Sequence, residues 1–188
     1  MSAIEKTDIF GTCFPAGSKV LMHDMSWKSI EKVEVGELMF SVEGPTECVY
    51  EHVTFLGDRK MITFSDKSLY WSEEHSFWTK QNGSEWWWSY NADRLRYEVE
   101  IGLIGGLKDN FSLRTGEIEL EYAHIDGWKL HKSLVATDKI FNEKTPLFLP
   151  LTNGKPIVVN GYLVGAQLNE YAFDYKSIKW DTVIASVE

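Results

Sequence analysis

Apolar residues in this chain alternate with polar ones over short stretches, and long runs at helical spacing are scarce, a pattern that predicts a mostly β protein. Lys19–Met22 and Leu38–Ser41 read as short strands on either side of Trp27–Glu37, a turn region expected to point Ile30, Val33 and Val35 inward. Cys48–Phe55 reads as another strand, and Lys60–Phe64 with Ser68–Trp71 flanks Ser65-Asp66-Lys67 as a hairpin. Within Ser84–Tyr90, a strand would put Trp86 and Trp88 on one face and Trp87 on the other. Asn91–Leu95 is a helical turn at most, Gly102–Gly106 reads as a loop, and Gly116–Tyr122 reads as a half-solvated strand with Ile118, Leu120 and Tyr122 inward. Towards the end, Thr145–Leu151, Pro156–Val159 and Tyr162–Val164 are separated by Asn153-Gly154 and Asn160-Gly161. Asn-Gly supplies the positive φ of tight hairpins, which predicts a three-stranded meander.

Composition narrows the class. A chain of 188 residues can bury a sizeable core in one domain. Nineteen basic against 28 acidic side chains give a net charge of −9 without a basic cluster, which argues against nucleic acid as a partner. Two cysteines, Cys13 and Cys48, do not make a disulfide scaffold. No secretion signal and no membrane-length apolar run is seen, so a protein made in a cytoplasm, with no membrane contact, is expected.

Candidate chemistry centres on Cys13, in Gly11-Thr12-Cys13-Phe14-Pro15-Ala16-Gly17-Ser18-Lys19-Val20. A thiol is partly ionised near neutral pH and attacks acyl carbon readily, although an isolated cysteine also serves as a small buried hydrophobe. Ser72 and His75, three apart after a strand, can aim a hydroxyl and an imidazole at one point. His124 and His131, with Asp126 and Asp138, lack a compact metal spacing, and no metal or cofactor is expected. Trp86, Trp87, Trp88 and Tyr90 suit core packing or a partner platform. Cys48 is expected to pack, and His23-Asp24 to lie at a hairpin tip.

These segments resemble the Hint family, the fold shared by inteins, hedgehog autoprocessing domains and bacterial or phage relatives. The likeness is carried by Cys13 to Val20, by Trp27-Lys28-Ser29-Ile30-Glu31-Lys32-Val33-Glu34-Val35-Gly36-Glu37-Leu38, by Ser72-Glu73-Glu74-His75, where the family has Thr-x-x-His, by Trp88–Leu95, and by Ile157–Val164. It implies an all-β, horseshoe-like domain of hairpins over residues 13–166, after a leader of residues 1–12 and before an extension of residues 167–188. That extension, with Tyr171, Phe173, Tyr175, Ile178 and Trp180, is too apolar for a solvated tail and is expected to pack on the domain or on a partner.

The resemblance implies attack by Cys13 Sγ on the Thr12 carbonyl, with His75 as the acid for the departing nitrogen and Ser72 orienting the scissile carbonyl. The closing His-Asn of inteins is replaced by Gly165-Ala166, so no side-chain amide can cyclise and splicing is not expected. Cleavage would release only Met1–Thr12, which favours a structural or assembly role, in a complex such as a phage tail or baseplate, with self-processing as the alternative. Protein partners are then expected at the 1–12 leader, the Trp86–Trp88 region or the 167–188 extension, in a chain that could end up in a virion.

Overall fold

A computed structural model of the chain describes residues 13–93, 119–137, 141–166 and 178–187. The expected helical turn at Asn91–Leu95 and the expected strand at Gly116–Tyr122 fall partly outside these residues, and the expected Gly102–Gly106 loop, the 1–12 leader and most of the 167–188 extension lie outside them. What is described is mostly β, in the order β1 (Phe14–Pro15), β2 (Lys19–Leu21), β3 (Trp27–Ser29), β4 (Leu38–Met39), β5 (Thr46–Glu47), β6 (Tyr50–Phe55), β7 (Met61–Phe64) and β8 (Tyr70–Ser72). There follow β9 (Ser76–Gln81), β10 (Ser84–Ser89), β11 (Leu120–Tyr122), β12 (Lys129–His131), β13 (Leu134–Thr137), β14 (Pro146–Leu151), β15 (Ile157–Val159), β16 (Tyr162–Val164) and a short helix, α1 (Trp180–Ala185).

The largest sheet runs β12-β11-β9-β16-β15-β2-β3, with β10 paired to β9. Smaller sheets run β1-β14-β6, β13-β7-β8 and β4-β5. Two turns set the register of the large sheet. Asn82-Gly83 joins Gln81 to Ser84, and Asn160-Gly161 joins Val159 to Tyr162. All four turn residues have positive φ (53°, 83°, 49° and 95°), the geometry that twists two strands together through a two-residue loop. The meander does not form as the sequence suggests. β14 pairs with β1 and β6, and the Asn153-Gly154 bend carries the chain across to the other sheet.

Successive residues of the central strands feed two different cores. Val20, Phe77, Trp86, Trp88, Ile157, Val159, Tyr162 and Val164 pack into the first. Their neighbours Leu21, Trp78, Trp87, Val158 and Leu163 pack into the second, beside Ile178 and Trp180 of the C-terminal segment. This explains why these strands read as unbroken apolar runs: both faces are covered. Trp180 is fully buried and its indole N–H donates to the His124 carbonyl at 2.9 Å, while Trp128 donates to Asp181 at 2.9 Å. With all three of Trp86, Trp87 and Trp88 at least 93% buried, that segment is core and offers no solvent-facing aromatic platform.

The Trp27–Glu37 region is also more structured than a turn. Trp27–Ser29 pairs with β2, and a 3-10 turn at Ile30–Lys32 follows. Ile30 and Val33 point inward, but Val35 stands exposed beside the positive-φ Gly36, because the Val35-Gly36 turn lifts away from the core.

Candidate active site

The site forms where β1 begins, β8 ends and β16 runs out. Ser72, the last residue of β8, reaches Cys13 three times. Cys13 N–H donates to Ser72 Oγ at 3.0 Å, Ser72 Oγ donates to the Cys13 carbonyl at 3.2 Å, and Ser72 N–H donates to the same carbonyl at 3.1 Å. The four-residue turn then closes, with His75 N–H donating to the Ser72 carbonyl at 3.0 Å. His75 Nε2 lies 2.9 Å from the carbonyl oxygen of Gly165, and its ring packs on Phe14 with centroids 4.3 Å apart. A carbonyl only accepts, so Nε2 carries the proton and Nδ1 of the neutral ring is the basic nitrogen.

Cys13, Ser72 and His75 are each 0% exposed. Residues separated by as many as 62 positions are thus buried in one region, with Ser72 on the backbone of Cys13 and the His75 ring against Phe14, the residue after Cys13. That nitrogen belongs to the peptide bond with Thr12, a residue outside those described. Sequence reasoning did not find Gly165, whose contribution is a backbone carbonyl and leaves no side-chain signal. It also did not find the ion pair of Arg59 with Glu74, at 2.7 Å with side chains 1% and 0% exposed, in which Glu74 immediately precedes His75 in the chain.

The other singled-out residues lie elsewhere. Cys48 is buried at the end of the β4–β5 hairpin, its thiol pushed up to about 11 by burial. His131 Nε2 bonds the Tyr162 hydroxyl at 2.7 Å and its ring stacks on Phe64, with centroids 3.9 Å apart. His124 Nδ1 accepts the Asp126 N–H at 3.0 Å. Burial lowers both imidazoles from their usual range. Asp138 lies outside the described residues, and among the described residues no group of His, Cys, Asp and Glu could hold a metal ion. His23-Asp24 sits in the β2–β3 turn, where Asp24 accepts from Ser26 N–H at 3.0 Å. Among the described residues no helix is long and apolar enough to cross a membrane.

His52 carries a pH signature of its own. It is 3% exposed on β6, and burial, with a smaller effect of the Arg59 charge, lowers its imidazole to about 4 from 6.5. Between those values the unfolded chain binds the extra proton and the folded chain does not, so stability falls as pH drops through that window. The expected loss is about 3 kcal/mol from pH 7 to pH 4. Urea unfolding of wild type and His52→Gln across this range checks it, and an unchanged pH slope in the variant would refute the assignment.

No protein-family model matches the sequence, and no curated protein sequence matches it. Solved structures do. A bacterial intein-like domain from Clostridium thermocellum superposes with a TM-score of 0.55 at 13% identity, over 82% of this chain and 98% of that domain. This chain has the Hint fold. The gp41-1 intein gives a TM-score of 0.50 at 20% identity, over 81% of this chain and 97% of the intein, and a substituted form of that intein gives 0.50 at 19%. At these identities the likeness is one of fold, and the placement of Cys13, Ser72 and His75 within this Hint fold rests on the distances above.

Proposed function

We propose that this Hint-fold chain cuts itself at the peptide bond before Cys13, without splicing. One observation carries the reading: the N–H of that bond donates to a buried hydroxyl, Ser72 Oγ, at 3.0 Å. Cys13 Sγ attacks the carbonyl carbon of residue 12; an S–C bond forms, the C–N bond breaks, and the thiol proton ends on the departing amine. An amide nitrogen is a poor proton acceptor until its C–N bond lengthens. As it does, His75 Nδ1 takes up the thiol proton, the Ser72 hydroxyl, already in place, passes its own proton to the nitrogen, and the imidazolium returns a proton to Ser72, so the net transfer is from thiol to amine. Water then adds to the thioester, giving a carboxylate on residue 12 and restoring the Cys13 thiol. The Gly165-Ala166 ending supplies no side-chain amide to release a C-terminal segment.

Intact-mass analysis of the full chain, with and without an added thiol, tests this. Wild type is expected to lose the mass of residues 1–12, faster with the thiol. Ser72→Ala should slow the loss by roughly a hundredfold, the scale of one donor withdrawn from a buried reaction centre. A wild-type mass that never changes sinks the proposal.

A second reading, an assembly protein that retains the site as packing, is favoured by the complete burial of Cys13 within the first core. Under that reading Cys13→Ala costs stability alone, and a protein partner co-purifies through the 1–12 leader or the C-terminal extension. Trimming residues 1–12 without loss of that partner would remove the leader from its contact.

A further inference from the structure

The turn that carries Ser72 and His75 is anchored to a second loop by charge. Arg59, between β6 and β7, donates from Nη1 to Glu74 Oε2 at 2.7 Å and from Nε to the Leu56 carbonyl at 3.0 Å, and Nη2 bonds the Phe55 carbonyl. The guanidinium is thereby fixed to its own loop before it meets Glu74. Around it, Glu73 N–H donates to the Lys60 carbonyl at 3.0 Å, Lys60 N–H donates to Glu73 Oε2 at 3.2 Å, and Asn91 N–H donates to the Glu73 carbonyl at 2.9 Å. Within the Ser72–His75 turn the Glu74 side chain is thus held by a charge, and both partners of the pair are out of water.

Stability does not account for such a pair. Taking two ions into the interior costs about as much as their attraction returns, and apolar side chains of similar volume would fill the same space at no loss. What an apolar pair lacks is direction: a guanidinium and a carboxylate meet in one geometry, whereas packed aliphatic groups slide. Glu74 precedes His75, whose ring must keep Nε2–H on the Gly165 carbonyl for Nδ1 to remain the basic nitrogen.

We propose that the buried Arg59–Glu74 ion pair is a positioning device that fixes the His75 imidazole in its Nε2–H tautomer at the processing site. Arg59 and Glu74 act through His75 and take no proton themselves. The inference rests on the self-processing reading for its purpose, but its structural content, the state of the His75 ring, is measured independently of cleavage.

The test pairs the double variant Arg59→Met/Glu74→Leu with the isosteric Glu74→Gln, in the full chain. The first removes both charges together and so leaves neither unpaired. The His75 ring is followed by nitrogen-15 NMR across a pH titration, and processing by intact mass. In both variants the ring should lose its Nε2–H preference and titrate at a shifted midpoint while the fold, read by near-ultraviolet circular dichroism, is kept. Processing should slow by roughly a hundredfold, the effect of a small displacement at a reaction centre. A folded variant with the wild-type His75 spectrum and titration overturns the proposal. Failure of both variants to fold makes the pair a stability element and overturns it equally. If the wild-type chain never cleaves, the self-processing reading has failed, and the NMR comparison still decides whether the pair positions His75.

Discussion

Cys13→Ala is expected to hold the chain at its full mass, with or without thiol, under conditions in which wild type has lost residues 1–12. The substitution removes one sulfur atom from a fully buried position, a packing loss of about 1 kcal/mol that a domain of this size tolerates. Its effect is therefore chemical: the attacking atom is gone while the Ser72 contacts to the Cys13 backbone remain available. Cys13→Ser should be cut far more slowly than wild type, because a hydroxyl is scarcely ionised near neutral pH and is a weaker nucleophile than a thiol. Mass spectrometry over a day at pH 7 reads both. Product from Cys13→Ala that begins at residue 13 would assign the cut to another nucleophile and end the mechanism proposed above.

Gly161→Ala is expected to destabilise the fold by about 4 kcal/mol, the sum of a strained backbone and an overfilled contact. A Cβ at Gly161 would lie 2.2 Å from Nε2, 2.7 Å from Cε1 and 2.8 Å from Cδ2 of His124. That ring cannot withdraw freely. Its Nδ1 is held by the Asp126 N–H, its carbonyl takes the Trp180 indole N–H, and its edge packs on Tyr162 with centroids 4.7 Å apart. Gly161 also has φ 95°, where an L side chain is strained. Gly36→Ala serves as the comparison, since φ there is 96° but a Cβ would meet nothing within 4 Å. Chemical unfolding should show a loss of about 1 to 2 kcal/mol at Gly36 and about twice that or more at Gly161. Equal losses would show that the His124 ring moves aside at no cost.

These two residues illustrate what could be read without coordinates. The Cys13 and Ser72–His75 segments were legible through their joint resemblance to the Hint family, each being weak as a local pattern, and the structure places Ser72 on the backbone of Cys13. The Asn160-Gly161 hairpin was legible from its local turn signature. Asn82-Gly83 bears the same signature and joins β9 to β10, but the polar Lys80-Gln81 and Ser84-Glu85 on either side of it leave no apolar alternation at the turn to mark the strand ends. Asn153-Gly154 misled in the other direction. Its bend ends β14, but the partners of β14 are β1 and β6, which are distant in sequence. No turn residue can specify a pairing across that separation.

The three adjacent tryptophans make the point about faces. A period of two assigns Trp87 to the side opposite Trp86 and Trp88, and that much is local geometry. Whether the opposite side meets water, a partner or more of the same chain depends on what covers it, and here the C-terminal segment through Ile178 and Trp180 does so. The buried pairing of Arg59 with Glu74 is likewise invisible in sequence, where both read as ordinary surface charges.

By itself, then, the sequence determined the β class, the local turns and the residue types able to break an amide, because these depend on neighbours a few positions apart. Only the tertiary structure decided that Cys13 N–H meets the Ser72 hydroxyl, that Gly165 sets the tautomer of His75, and that an ion pair from another loop anchors their turn. Such contacts join backbone and side-chain atoms from separate strands, and chain folding alone brings them within hydrogen-bond reach.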